Sequence, residues 1–175
     1  MMTARLAGIG LALARQAVAN GAQVIGTCRS VPPEAPAGVD WASLEVRDPA
    51  AHRVLAQRVQ GQDLDLLVCN AGVYLDRAET LSEGYAATLW PETMAVNVTG
   101  VFLTVQALLP ALRRARGKIA ILSSQMGSDA RAPGGSYAYR ASKAAVLNLG
   151  RNLAADLQTE GIAVGIYHPG WVQTD

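Results

Sequence analysis

The chain has 175 residues, of which 50% are hydrophobic, and a formal net charge of +1. This length allows one domain with a sizeable core and is too short for two, so we expect a single domain over residues 1–175. Because the basic residues are scattered, the chain lacks the concentrated positive charge that binding to nucleic acid or an acidic membrane requires. We therefore expect a small-molecule partner, and neither nucleic acid nor a membrane.

Cysteine and histidine are too sparse for a metal centre or a disulfide framework. Cys28 and Cys69 have no cysteine or histidine at ligand spacing, so we expect two free thiols and no metal. We interpret His52 as a residue on a helix surface and His168 as a residue at a strand end.

The N-terminal segment allows two interpretations. Arg5, the apolar run 6–14 and Ala17-Val18-Ala19 resemble a secretory signal with its small-residue cleavage site. Arg15 separates that run from the site, and the same residues fit a glycine turn followed by an amphipathic helix, which we favour. No other segment approaches the 18 or so uninterrupted apolar residues that a membrane span needs. The expected location is cytoplasmic.

Strand-like and helix-like segments alternate along the chain. We predict strands at residues 22–27, 41–46, 64–69, 118–123 and 162–168, and helices at residues 10–20, 49–60, 91–115 and 139–159. This alternation predicts an α/β fold with a doubly wound, mostly parallel sheet. Ligands of such sheets bind beyond the carboxyl ends of the strands, where the motifs below fall.

The strongest chemical signal is Tyr139 with Lys143 four residues later, at the start of the last predicted helix. Residues four apart share a helix face, so the ammonium of Lys143 is expected close to the phenol of Tyr139. A nearby positive charge would lower the pKa of the phenol from its ordinary value of about 10 toward the working pH. Ser123 and Ser124 close the preceding strand. Together these side chains indicate carbonyl–alcohol redox chemistry.

Further motifs accompany this pair in a fixed order. They are Gly8-Ile9-Gly10 at the first helix, Cys69-Asn70-Ala71-Gly72 after a strand, Asn97 in a long helix and Pro169-Gly170 near the end. With them, the chain resembles the short-chain dehydrogenase/reductase superfamily along nearly its whole length. Residues 139–146 and 169–175 are most similar to the branch of small carbonyl reductases that includes the C-factor and sniffer proteins. The resemblance implies a Rossmann-like NAD(P)-binding domain that forms a homodimer or homotetramer.

The resemblance also implies where the cofactor lies. The positions that match the family's cofactor-binding residues are Thr3, Gly8, Ile9, Gly10, Glu45, Val46, Asn70, Ala71, Gly72, Tyr139, Lys143, Pro169, Gly170, Val172 and Thr174. Three substitutions depart from the family pattern. Ala4 replaces a glycine of the phosphate loop, Glu45 replaces the aspartate that meets the adenine, and Cys69 stands where a second asparagine is common.

Arg29 bears on the choice between NADP and NAD. It follows the strand 22–27, where a 2′-phosphate on the adenosine ribose would lie, and relatives that prefer NAD carry an acidic residue near this strand end. We therefore expect NADP, with NAD as the alternative. The opposing interpretation is an ordinary solvated arginine, since Ala7 adds no second positive charge in the glycine loop.

By resemblance, Tyr139 protonates the carbonyl oxygen, and Lys143 binds the nicotinamide ribose as well as lowering the pKa of the phenol. Ser124 is expected to hydrogen-bond the carbonyl oxygen, with Ser123 as its weaker rival. Asn97 would hold a water that relays protons to Lys143. Tyr137 is expected to line the pocket. The glycine-rich loop 130–136 would absorb the long spacing between Ser124 and Tyr139.

The chain is expected to be truncated at both ends relative to the family. Only two methionines precede Thr3, so we predict that the first strand is absent and that strands 22–27 and 64–69 face each other across a gap. The C-terminal segment that covers the substrate in relatives is also expected to be absent. These features support an alternative function, a catalytically silent nucleotide-binding remnant. The complete set of Asn97, Ser124, Tyr139 and Lys143 argues against it.

Overall fold

The computed structural model describes residues 2–3, 8–30 and 35–170. The strands of this part of the chain are β1 (Met2–Thr3), β2 (Val24–Cys28), β3 (Val39–Ser43), β4 (Leu66–Cys69), β5 (Lys118–Leu122) and β6 (Ala163–Tyr167). They form one sheet in the order β3-β2-β1-β4-β5-β6, and every pairing is parallel. The predicted α/β architecture with a parallel sheet is confirmed.

The helices are α1 (Ile9–Ala19), α2 (Pro49–Arg58), α3 (Leu89–Met94), α4 (Gly100–Ala115) and α5 (Tyr137–Leu157). A π-helical turn, Ala95–Thr99, joins α3 to α4, and a short 3-10 turn, Gln125–Gly127, follows β5. Each predicted element is present with its ends shifted by a few residues. The sequence did not predict the π-helical turn, because it lies within a continuous helical pattern.

The first strand was predicted to be absent, and this prediction is wrong. Met2 and Thr3 pair with residues 26–27 of β2 on one side and with residues 68–69 of β4 on the other. The prediction counted only residues before Thr3, whereas the strand uses Thr3 itself. Two residues suffice to continue the ladder between β2 and β4, so the first strand is short and the sheet has no gap.

Two hydrophobic clusters hold the helices to the sheet. The larger one joins β4 and β5 to α2, α4 and α5, and includes the fully buried Leu67, Leu108, Leu112 and Ile121. The smaller one packs Ala14 of α1 against β2 and β4. Each large aliphatic side chain buried in this way contributes about 1.5–3 kcal/mol, so the sheet that carries the candidate site is firmly anchored.

The continuous helical stretch Leu89–Ala115 deserves comparison with a membrane span. It has 27 residues and a mean hydropathy of 1.7 in its most apolar window, which is long and apolar enough to cross a membrane by length and composition. However, half of that window is buried inside the fold, and Val105, Leu108 and Leu112 belong to the core. The position of this stretch against the sheet accounts for its apolar character.

Candidate active site

The carboxyl ends of the strands bring the predicted motifs to one edge of the sheet. Gly8 follows β1, Arg29 follows β2, Glu45 follows β3, Asn70-Ala71-Gly72 follows β4, Ser124 follows β5 and Pro169-Gly170 follows β6. This edge is where a doubly wound sheet binds its ligand. The predicted Val172 and Thr174, together with Ala4 and Ala7, lie outside the described residues.

Tyr139 and Lys143 share one face of α5, as their spacing predicts. The Lys143 ammonium lies 5.6 Å from the centroid of the Tyr139 ring and donates a hydrogen bond to the backbone oxygen of Leu122 at 3.0 Å. Only 6% of Lys143 is exposed. A lysine is rarely buried to this extent without a functional or structural partner, and among the described residues a single carbonyl accepts from it.

Burial sets the pKa values of both side chains. Desolvation lowers the pKa of Lys143 to about 8. It also raises the pKa of the Tyr139 phenol above its ordinary value, while a hydrogen bond with Ser124 lowers it and the neighbouring Tyr74 raises it further. The four-residue spacing to Lys143 predicts a lowered pKa for the phenol. The net direction here is upward, because desolvation of the ring is the largest contribution.

The two serines after β5 have different partners. The Ser123 hydroxyl donates to the backbone oxygen of Lys143 at 2.9 Å and so secures α5 against the sheet. The Ser124 hydroxyl accepts from the Met126 N–H at 3.1 Å and lies close enough to the Tyr139 phenol to lower its pKa. Ser124 is therefore the serine whose hydroxyl lies beside the phenol, which favours it over Ser123 as the polarising donor.

Asn97 occupies the π-helical turn between α3 and α4 and is 1% exposed. Its Oδ1 accepts from the Val73 N–H at 2.8 Å, and its Nδ2 donates to the Val73 oxygen and to the Ser142 hydroxyl, each at 2.9 Å. These contacts join the loop after β4 to α5. A π-helical turn often marks a functional position, because it redirects one side chain out of the regular helix.

Gly72 lies against two of these polar groups. A Cβ atom built at Gly72 would lie 3.4 Å from Asn97 Oδ1 and 3.5 Å from Lys143 Nζ. Any other residue would place a carbon atom in contact with both groups, whereas glycine leaves that position to a ligand that hydrogen-bonds them. Hydroxyl groups of a ribose have the appropriate chemistry, so the residues here fit the predicted dinucleotide.

The phosphate end of the site also fits a dinucleotide. Gly8 precedes α1 with a φ angle of 79°, a conformation that favours glycine, and no side chain caps the helix among the described residues. The first turn of α1, which contains Ile9 and Gly10, has no acidic residue. Its free N–H groups and the positive end of the helix dipole can therefore receive a pyrophosphate.

Charged side chains surround the predicted adenosine end. Arg47 donates two hydrogen bonds to the Glu45 carboxylate, each at 3.0 Å, and this pairing lowers the pKa of Glu45. The positive charge of Arg29 acts on the same carboxylate. Glu45, which was predicted to meet the adenine, thus has its carboxylate engaged by Arg47. Arg47 is a second positive charge at this end that the sequence analysis missed.

His52 was interpreted as a helix-surface residue, and this interpretation is wrong. The side chain is 3% exposed, and its Nε2 donates to the backbone oxygen of Val46 at 3.0 Å. His52 lies one turn before Leu55 on the buried face of α2, so the helix turns it toward the sheet. This hydrogen bond therefore holds the backbone of the Glu45-Val46 turn in place.

Three residues near Tyr139 were not identified from the sequence. The Tyr74 ring stacks on the Tyr139 ring, with centroids 4.2 Å apart and an interplanar angle of 19°. Arg140 donates to three backbone oxygens of the loop before α5, which secures the long connection from Ser124. The buried Asp76 accepts hydrogen bonds from the first turn of α5. No local pattern signals these contacts, because the partners of Tyr74 and Asp76 lie more than 60 residues away.

Tyr137 was predicted to line the pocket. In the structure its ring packs edge-to-face against Tyr85, with centroids 5.5 Å apart. It lies at the first position of α5, two residues before Tyr139. Its place beside the substrate remains a prediction.

Comparison with known proteins agrees with this geometry. A sequence profile of the short chain dehydrogenase family matches residues 1–175. The C-signal protein of Myxococcus xanthus is 39% identical over 125 residues, which are 70% of this chain and 74% of that protein. Two relatives that match the whole chain bear reductase names.

Solved structures give the same result. Carbonyl reductase Sniffer of D. melanogaster superposes with a TM-score of 0.90 at 26% identity, over 99% of this chain and 81% of that one. An NADPH-bound carbonyl reductase from chicken fatty liver has a TM-score of 0.87 at 29% identity, over 99% of this chain and 80% of that one. The chain therefore belongs to the NAD(P)-dependent short-chain dehydrogenases/reductases and is similar to the C-signal and sniffer branch, as its motifs predicted.

Proposed function

We propose that the protein is an NADP(H)-dependent oxidoreductase that interconverts a small or medium-sized carbonyl compound and its alcohol. The observation that carries this proposal is the buried Lys143 on the same helix face as Tyr139, with the Ser124 hydroxyl beside the phenol. A half-buried phenol, a buried ammonium and a hydroxyl lie near one another at the ligand-binding edge of the sheet. This set suits acid–base catalysis on an oxygen atom.

In the reductive direction, the Tyr139 phenol donates its proton to the carbonyl oxygen. Because burial raises the pKa of the phenol, Tyr139 is protonated at neutral pH and can act as the acid. The Ser124 hydroxyl donates a hydrogen bond to the same oxygen and stabilises its developing negative charge. A reduced dinucleotide, when bound, would supply the hydride that the carbonyl carbon needs to give the alcohol. The Lys143 ammonium then stabilises the phenolate that remains.

Residues from several elements along the same edge of the sheet would bind the dinucleotide. Gly8, Ile9 and Gly10 would receive the pyrophosphate at the start of α1, and Lys143 beside Gly72 would take the ribose hydroxyls. Thr3, Val46, Asn70, Ala71, Pro169 and Gly170 line the same edge of the sheet by sequence position. Asn97, by holding Val73 and Ser142, fixes the loop that forms the floor.

NADP is proposed over NAD because an arginine follows β2 and the acidic residue nearest to it is paired with a second arginine. Arg29 is exposed at the end of β2, and Arg47 neutralises Glu45, the acidic residue that would otherwise repel a 2′-phosphate. The NADPH-bound carbonyl reductase with a similar fold supports the same choice. We also expect a cytoplasmic protein that forms a homodimer or homotetramer and binds only small molecules.

The test is NADPH oxidation by the purified chain with a panel of aldehydes and ketones. Tyr139→Phe is expected to lower kcat by about 10²–10⁴, the usual contribution of general acid–base catalysis, and to leave NADPH binding unchanged. Tyr167→Phe, on the exposed side of β6, is the matched control and should behave like the parent. If the parent binds NADPH yet reduces nothing, and Tyr139→Phe changes no property, the protein is the silent nucleotide-binding remnant instead.

A further inference from the structure

Asp76 connects the loop after β4 to the helix that carries Tyr139 and Lys143. Its side chain is 0% exposed. One carboxylate oxygen, Oδ2, accepts hydrogen bonds from the backbone N–H groups of Ala138 at 2.8 Å and Tyr139 at 3.3 Å. Both N–H groups belong to the first turn of α5, where a helix has no internal partner for them. Asp76 therefore caps α5 from a distant part of the chain.

The cap is needed because α5 has none of its own. The residue before the helix, Ser136, adopts a left-handed φ angle of 50° and makes no side-chain cap. Its hydroxyl is instead hydrogen-bonded to Tyr74 Oη at 2.5 Å. Ser136, a residue type that normally caps a helix, thus holds the loop after β4. The cap of α5 comes instead from Asp76 in that loop.

The second carboxylate oxygen of Asp76 is in a different environment from the first. Oδ1 is buried and has no hydrogen-bond partner among the described residues. Burying a carboxylate with an unpaired oxygen costs free energy, and most structures avoid it. The presence of the Asp76 carboxylate at the first turn of α5 is therefore explained better by its effect on that helix than by a net stabilisation of the fold. The favourable contribution is its negative charge at the positive end of the helix dipole.

We propose that Asp76 is a positioning residue for the reaction. It fixes the backbone of Tyr139 directly, and so fixes the distance between the Tyr139 phenol and the Ser124 hydroxyl. The proposal rests on the function proposed above, in which these two groups act on one carbonyl oxygen. Removal of Asp76 would allow the first turn of α5 to fray and the phenol to move while Lys143, one turn further along, stays in place.

The neighbouring contacts confine the effect to Tyr139. Asn97 holds both backbone groups of Val73, and Tyr74 is stacked on Tyr139, so the loop is fixed immediately before Asp76. The binding site for the pyrophosphate, at Gly8, is on a different helix. A change at Asp76 should therefore alter kcat and leave the affinity for NADPH nearly constant.

The experiment compares Asp76→Ala, Asp76→Asn and Asp48→Ala in the purified chain. Asp48 is the matched control, because its carboxylate caps α2 by accepting from the Ala50 N–H at 2.8 Å. Asp76→Ala should lower kcat about 10- to 100-fold, since a misplacement of about 1 Å can cost that much, with NADPH affinity within about twofold. Asp76→Asn keeps an acceptor oxygen but loses the negative charge at the helix N-terminus, so its kcat should fall only about 2- to 5-fold. Asp48→Ala should lower thermal stability and keep the parental kcat.

A second arm separates positioning from general loss of stability. In a Tyr139→Phe background, Asp76→Ala should cause little further loss of turnover, because a residue that acts through the phenol has nothing left to position. An independent loss that multiplies the two effects would overturn the proposal. So would a kcat for Asp76→Ala equal to that of Asp48→Ala. Should Asp76→Ala fail to fold, Asp76→Asn decides: its kcat must fall at least about twofold at constant NADPH affinity, and a parental kcat overturns the proposal.

A readout without turnover keeps this proposal distinct from the proposed function. Asp76→Ala should speed hydrogen exchange at the Ala138 and Tyr139 amides and shift the ring-carbon NMR signal of Tyr139, whereas Asp48→Ala should do neither. If the parent chain reduces no carbonyl compound, the proposed function fails. Unchanged exchange and an unchanged Tyr139 signal would instead show that Asp76 does not position Tyr139.

Discussion

The two ends of the candidate site are built differently. At the reacting end, Asp76, Asn97 and Lys143 are at most 6% exposed and bind backbone groups. At the adenosine end, Glu45 and Arg47 form an ion pair whose side chains are 33% and 42% exposed. The first region uses buried polar groups that are hydrogen-bonded to the backbone, and the second uses charges in contact with water.

This difference predicts how each end responds to substitution. Buried polar groups interact in a medium of low dielectric constant, so the loss of one partner leaves another unpaired and has a large effect. Exposed charges are screened by water and salt, so each contributes little. Substitutions at the reacting end should therefore abolish turnover or stability, whereas those at the adenosine end should only adjust preference.

The largest effect in this comparison is expected from Lys143→Met. The variant removes the buried ammonium that stabilises the phenolate and, in the proposed function, binds the ribose. We expect kcat/KM to fall about 10²-fold or more, as when one charge-stabilising donor is lost, and the affinity for NADPH to fall with it. Steady-state kinetics and fluorescence titration measure the two quantities. A variant that loses turnover but keeps NADPH affinity would contradict the double role.

The buried Lys143 also makes the stability of the parent chain depend on pH. Burial lowers the pKa of Lys143 from 10.5 to about 8, so between these pH values the unfolded chain holds a proton that the folded chain has lost. Stability therefore rises with pH across this window, and the cost of burying the charge is present in full below pH 8. That cost is on the order of 3 kcal/mol.

Lys143→Met should therefore unfold at higher denaturant concentration than the parent at pH 7. The gain should shrink as the pH approaches 10.5, because the parental lysine then loses its charge. Urea titrations at pH 7 and pH 10 measure it. An equal gain at both pH values would show that packing, and not desolvation of the ammonium, is responsible.

Asn97→Ala is expected to have the next largest effect, mainly on stability. The substitution leaves the Val73 N–H and carbonyl without their partner and opens a small cavity in the π-helical turn. We expect the free energy of unfolding to fall by about 2–4 kcal/mol. Asn152→Ala is the control, because Asn152 is exposed and bonds only to Asn148 on the same helix. Similar losses for the two variants would contradict a special role for the buried amide.

A smaller effect is expected at the adenosine end. Arg29→Ala should lower the ratio of NADP to NAD affinity by about 3- to 10-fold, because one exposed charge near a phosphate is worth about 1 kcal/mol. The effect should diminish at high salt. Arg58→Ala, which breaks an exposed ion pair with Asp40, is the control. If the ratio is the same in the parent and in Arg29→Ala, Arg29 does not select the cofactor.

The features that the sequence predicted well are those with a local signal. The four-residue spacing of Tyr139 and Lys143 places them on one helix face whatever the rest of the fold does. His52 could have been recognised as buried by the same rule, because it shares a helix face with Leu55 and Val59. The pKa of Tyr139 was not predictable in this way, because it depends on how deeply the rest of the fold buries the ring.

Other features depend on contacts between distant segments. The two-residue strand β1 exists because β2 and β4 present their edges to it, and neither residue carries a strand pattern. The cap from Asp76 to Ala138 spans 62 residues. The sequence points instead to Ser136, which stands directly before α5 and is a residue type that normally caps a helix.

The smallest effect is expected from the two cysteines, and it tests the position of β1. Cys28 ends β2 and Cys69 ends β4, and Thr3 of β1 pairs with both neighbouring strands between them. Two strand spacings separate the thiol-bearing residues by about 9–10 Å, which exceeds the reach of a disulfide. Both cysteines are buried and free, and burial raises the pKa of Cys69 to about 12.

We therefore expect both thiols to react very slowly with a thiol reagent in the native chain and fully after unfolding, because the thiolate is the reactive form. Mild oxidation of the native chain should produce no intramolecular bridge. Cys28→Ser, which leaves a single thiol, is the control for intermolecular oxidation. An intramolecular bridge that forms in the parent under native conditions would mean that β2 and β4 lie side by side. The sheet would then lack β1 at its centre, and the Gly8 turn that follows β1 would lose its fixed position beside the other cofactor-binding residues.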